Sequence, residues 1–159
     1  MKTLTMLFTI CFAALTATSA IAEGTKGWPT DLEKALVQAK AEKKPVMVQF
    51  TGSTWCPQCV VMGKNVFSTK EFQTAATKKY ILVEIDVPAS GAPKEEGEAG
   101  IVGERNTQYA ITYKVNEFPH TVLIAPDGKE FTRFHSADFP KTEDFLKKLD
   151  ESLEKKDLD

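Results

Sequence analysis

The stretch Val46-Met47-Val48-Gln49-Phe50-Thr51-Gly52-Ser53-Thr54-Trp55-Cys56-Pro57-Gln58-Cys59 decides how this chain is read. Its first five residues are almost continuously apolar, the pattern of a strand buried on both faces. Thr51 to Thr54 turn the chain. Pro57 then opens a helix, because proline costs nothing in the first helical turn, where its missing N–H would have had no partner. Two cysteines three positions apart come within disulfide reach when the second lies one helical turn beyond the first, so Cys56 and Cys59 can together carry two electrons. The remaining cysteine, Cys11, lies in a segment of another kind.

Upstream, Lys2 precedes an apolar run from about Leu4 to Leu15, and small residues follow, ending in Ala20-Ile21-Ala22. That order of charge, apolar core and small residues is a secretory signal, with cleavage expected after Ala22. An uncleaved anchor is the competing reading, but the run is short for a bilayer span of roughly 20 residues and threonines interrupt it. Phe8-Thr9-Ile10 lacks the small residue that would precede a lipidated cysteine. The expected mature chain is a single domain over residues 23–159, enough for a real core. It is expected in the periplasm or secreted, with no stable membrane insertion once the signal is removed. Its 19 basic and 22 acidic residues give a net charge of −3 with no basic block, which argues against nucleic acid as a partner. Export puts the cysteines where disulfides persist, yet two cysteines cannot staple a small domain as a multi-bridge framework does. An active pair is the better reading.

Around this centre the other elements follow from period and punctuation. Thr30-Asp31-Leu32-Glu33 has the form of a capping box, and Leu32, Ala35, Leu36 and Ala39 share one helix face, which predicts a helix to about Glu42. Lys43-Lys44-Pro45 ends it. Ser68-Thr69-Lys70-Glu71 repeats the capping pattern and predicts a helix over 69–78, either separate or continuing the preceding one after a kink. Tyr80 to Val87 reads as a strand. Pro88 to Gly103 is rich in Gly, Pro, Ala and Glu with no apolar period, so an exposed, mobile loop is expected, followed by a helix from about Glu104 to Tyr113. Phe118-Pro119 opens a strand through Thr121 to Ile124. Ala125-Pro126-Asp127-Gly128 turns it into a hairpin with Glu130 to Phe134. The last helix buries Phe145, Leu146, Leu149 and Leu153. Helices alternating with strands, closed by a hairpin and a helix, give a layered α/β domain with a mixed sheet.

With Cys56 just ahead of the helix that Pro57 starts, its sulfur faces unsatisfied N–H groups, an environment that favours thiolate over thiol. The thiolate is the species that attacks disulfides. Cys59, a turn deeper and more shielded, is then the sulfur that resolves the mixed disulfide.

In this arrangement the chain resembles the thioredoxin superfamily, and more closely its exported bacterial thioredoxin-like domains. The resemblance is carried by Lys44 to Phe50, by Gly52 to Cys59 with its Trp-Cys-Pro-Gln-Cys motif, and by Phe118-Pro119-His120-Thr121-Val122-Leu123-Ile124 with Pro126-Asp127-Gly128. It implies a central mixed sheet with helices on both faces. It also implies a thiol–disulfide oxidoreductase that acts on protein dithiols or disulfides, needs no bound cofactor, and relies on a redox partner protein to recycle the pair. By the same resemblance, Trp55, Pro57, Phe118 and Pro119 neighbour the catalytic Cys56 and Cys59, and Pro119 has a cis peptide bond.

Two positions depart from that pattern. Where many thioredoxins carry a buried acid, this chain has Gln49, which cannot take a proton from Cys59; Glu84 is a candidate replacement. The Pro88 to Gly103 segment is the other departure, read as surface decoration rather than a partner site. Trp55 either shields the disulfide and faces substrate or fills the core edge, and Trp28 is expected to pack. Rival readings are a zinc site of Cys56, Cys59, His120 and His135, and a non-catalytic binding module that uses the Phe118-Pro119 edge or the acidic loop. For His120 a packing or strand role is expected, with thiolate tuning second; His135 is expected at the surface.

Overall fold

Eleven consecutive residues, Leu32–Glu42, form α1, because Asp31 accepts the Lys34 N–H at 3.0 Å and so satisfies one of the donors a helix start leaves open. The expected capping box placed the cap at Thr30, one residue too early. Asp31 has the extended backbone of a cap, φ −104° and ψ 98°, and offers a charged acceptor. Lys43, in the left-handed region at φ 54°, closes the helix. Pro45 then holds the chain extended into β1, Val46–Thr51. The structure, a computed structural model, describes residues 27–156. The export signal and the Cys11 reading fall on residues outside that range.

After β1 come α2, Pro57–Met62, and a π-helical continuation, Gly63–Phe67, which is the kink the sequence allowed for. α3 covers Lys70–Lys79 with Thr69, not Ser68, as its cap; the Thr69 hydroxyl accepts the Phe72 N–H at 3.2 Å. β2 is Ile81–Asp86. α4 runs Gly97–Thr112, so its first seven residues lie where a loop was expected and the loop shrinks to 88–96. Three glycines and an exposed first turn hide that part of the helix from any apolar period. β3, His120–Ile124, and β4, Glu130–His135, form the hairpin. A 3-10 turn, Ser136–Asp138, leads towards α5, Thr142–Lys156.

The four strands lie in the order β2-β1-β3-β4, with β1 and β2 parallel and the other pairs antiparallel. Alternation along the strands divides the core. Val46, Val48, Phe50, Val83, Ile85, Val122 and Ile124 face α1 and α4. Met47, Leu82 and Leu123 face the other layer, where Met62 and the π-helical Val66 and Phe67 meet Phe72 of α3 and Phe145 of α5. Trp28 packs there, stacked on Phe72 at 5.9 Å. Helices therefore cover both faces of a mixed sheet, as expected. Among the described residues, no helix is long and apolar enough to cross a membrane.

Candidate active site

β1 ends at Thr51, and the turn that follows delivers Cys56 to the first position before α2. The Cys56 N–H donates to Gly52 O at 2.9 Å. Cys56 is the N-cap of α2, with Pro57 in the first turn, and its Sγ accepts the Cys59 N–H at 3.2 Å. The two sulfurs are joined in a disulfide, with Cα atoms 5.2 Å apart. Both residues are largely covered in this oxidised form, Cys56 6% and Cys59 4% exposed. The contrast in shielding expected between them is slight here; position on the helix is what separates them.

Trp55 lies over the turn, 39% exposed. Its indole N–H donates to Val87 O at 2.7 Å, and its ring meets Phe118 edge-on with centroids 5.2 Å apart. One edge of the ring is thus anchored to β2's end and to Phe118, and the rest is open to solvent. The Phe118–Pro119 peptide is cis. Through Phe118 the loop that opens β3 sits beside the cysteine motif although 59 residues separate Pro119 from Cys59 or more from Trp55. The 3-10 turn at Ser136–Asp138 also lies against α2. Beyond Cys59, Val60 and Val61 are exposed apolar side chains on α2.

Beneath this surface Gln49 is buried. Its Oε1 accepts from the Thr121 hydroxyl at 2.8 Å and from the Ser136 hydroxyl at 3.1 Å, and those two hydroxyls are 2.8 Å apart. Its Nε2 donates to Phe50 O at 3.1 Å. The amide that replaces the expected acid therefore ties together β1, β3 and the 3-10 turn. Glu84 is Gln49's register partner on β2 and is also buried, on the sheet face that α2 covers. Neither Thr121 nor Ser136 stood out in the sequence. Sequence separations of 72 and 87 residues from Gln49 leave no local signal for such a network.

His120 does not join the site. It pairs with Phe50 in register and so shares the sheet face of α1 and α4, opposite the face that α2 covers. Among the described residues neither of its ring nitrogens has a hydrogen-bond partner, and burial, then the nearby Arg133 and His135, push its imidazole below the ordinary value. His135 is half-buried at the end of β4, with its ring 6.4 Å from that of His120. The zinc set of Cys56, Cys59, His120 and His135 is therefore not assembled: the histidines belong to the other layer and the sulfurs are bonded to each other. Among the described residues, no three Cys, His, Asp or Glu side chains converge as metal ligands.

Comparison with known proteins agrees with this geometry. The model of a thioredoxin-like domain family matches residues 32–152. The disulfide bond reductase DsbH of Chlamydia pneumoniae is 33% identical over 119 residues, covering 75% of this chain and 68% of that protein. The thiol:disulfide interchange protein DsbD 2 of Pseudomonas aeruginosa is 30% identical over 118 residues, but these make up only 18% of its length. A solved structure described as DsbH oxidoreductase superposes with a TM-score of 0.67 at 28% identity, covering 89% of this chain and 93% of the other.

Proposed function

Because the chain belongs to the thioredoxin-like family, we propose that it is a thiol–disulfide oxidoreductase that reduces protein disulfides outside the cytoplasm. The observation that carries this reading is Cys56 at the N-cap of α2, bonded to Cys59 and flanked by Trp55 and the cis-proline loop.

The chemistry follows from the placement of the two sulfurs. In the reduced protein the Cys59 N–H and the start of α2 favour Cys56 as thiolate. That thiolate attacks one sulfur of a substrate disulfide; the substrate S–S bond breaks, a mixed disulfide forms on Cys56, and the other substrate sulfur leaves as thiolate. Deprotonated Cys59 then attacks Cys56 Sγ, which restores the internal disulfide and releases the second substrate sulfur. Two electrons have passed from the pair to the substrate. A dithiol protein resets the pair by the same exchange in reverse, and no bound cofactor takes part. Pro57 fixes the helix start between the sulfurs, while Phe118 and Pro119 border the approach to Cys56.

A protein substrate is supported by the exposed apolar side chains close in sequence to the pair, Trp55 just before Cys56 and Val60 and Val61 just after Cys59. The reductive direction is supported by the similarity to a protein named a disulfide bond reductase. A periplasmic or secreted location is supported by the signal-like residues 1–22, which would leave 23–159 as the working domain. The test is reduction of insulin disulfides by residues 23–159 with a dithiol as electron source. Turnover that disappears in Cys56→Ser is expected. No turnover in either direction, with both cysteines intact and accessible, would leave only a binding module.

A further inference from the structure

Asp86 ends β2 and takes no part in the sulfur exchange itself. Its carboxylate accepts two hydrogen bonds from a single residue of the turn that delivers the disulfide: the Ser53 N–H to Oδ1 at 2.8 Å, and the Ser53 hydroxyl to Oδ2 at 2.5 Å. Engaging both oxygens fixes where Ser53 sits and how it is rotated, and bonds to an ionised acceptor are stronger than neutral ones. The same corner is tied down from two more sides. Asn106, buried on α4, donates to Asp86 O at 2.8 Å. Val87 donates its N–H to Thr51 O at 2.8 Å and receives the Trp55 indole N–H on its own carbonyl. Because Trp55 and Cys56 both donate their backbone N–H to Gly52 O, the location of Cys56 follows from how the turn is held.

We propose that Asp86 is the positioning residue of the redox turn: through Ser53 it holds Trp55 and Cys56 in the orientation in which Cys56 Sγ meets the helix N–H and an incoming disulfide. The role rests on the thiol–disulfide reading of Cys56 and Cys59. Asp86 acts through Ser53, not on the substrate.

Asp86→Ala removes both acceptors. Asp86→Asn keeps Oδ1 for the Ser53 N–H and offers Nδ2 to the Ser53 hydroxyl, so the latch survives without the charge. Ser53→Ala removes one bond of the two. The measurements are kcat/KM for a disulfide peptide, the pH midpoint of Cys56 alkylation in the reduced protein, and circular dichroism as the check on folding. Misplacing the turn in Asp86→Ala should lower kcat/KM about tenfold. It should also move the alkylation midpoint upward, because the thiolate loses its helix N–H. Asp86→Asn should stay within about twofold of the unsubstituted protein on both counts, and Ser53→Ala should fall between, at about threefold.

Folded Asp86→Ala with unchanged kcat/KM would overturn the proposal. So would Asp86→Asn as impaired as Asp86→Ala, or a midpoint that moves downward in both, since either would assign the effect to charge alone. If Asp86→Ala does not fold, Ser53→Ala decides, and unchanged kinetics there overturn it. An unsubstituted protein that reduces no disulfide at all would instead refute the oxidoreductase reading itself.

Discussion

Gly52 has no room for a side chain. A Cβ built there would lie 2.3 Å from Trp55 Cε2, far inside contact distance, so the indole can cover the turn only because residue 52 is glycine. Gly52→Ala must push the ring aside and break its bond to Val87 O. The expected results are a changed tryptophan emission spectrum and a kcat/KM about tenfold lower, in a protein that still folds; unchanged emission and rate would show that the ring position is immaterial. His120 offers a second test at this scale. Its half-buried imidazole is held below its ordinary value of 6.5 mainly by desolvation, so between the two values the unfolded chain binds more protons than the folded one. Stability should therefore fall as pH drops through about 6.5 and stop falling below the folded-state value. Urea midpoints at about pH 7 and about pH 5 should show this loss, and His120→Phe should make it smaller. A pH response identical in His120→Phe would assign the effect to other groups.

α1 and α3 each begin on a side chain that satisfies the first turn. Asp31 and Thr69 each accept one N–H that would otherwise have no partner, and replacing either by alanine should cost about 1 kcal/mol in the denaturant midpoint. Ser68→Ala and Thr30→Ala, at the residues one position earlier, should cost clearly less if the caps are placed as observed. The sequence makes a cap legible as a short window of Ser, Thr and Asp, but two adjacent candidates compete within it and the backbone conformation chooses. α4 shows the opposite difficulty. Gly97-Glu98-Ala99-Gly100-Ile101-Val102-Gly103 carries no apolar stripe, and Ile101 is exposed, so pattern alone reads it as loop. β1, β2, β3 and the α2 start were plain because apolar runs and Pro57 are local signals, and β4 because the Ala125–Gly128 turn announces a hairpin.

Across the whole molecule, the pieces that make the site come from distant parts of the chain: Gln49 with Thr121 and Ser136, Trp55 with Phe118 and Val87, Ser53 with Asp86. The cysteine pair could be read from its own spacing, and Pro119 through the family resemblance. The hydroxyls, the Asp86 latch and the facing of His120 could not, because they exist only once the sheet order β2-β1-β3-β4 is set. On the proposed chemistry, the fold holds one sulfur at the N-cap of α2, where it would attack, and the other one turn on, where it would resolve. Trapping tests this most directly: reduced Cys59→Ser and reduced Cys56→Ser are each mixed with a disulfide-bonded protein, and adducts are mapped by mass spectrometry. A stable mixed disulfide on Cys56 in the first variant, with none on Cys59 in the second, is the predicted result. Equal adducts on both, or none on Cys56, would contradict it.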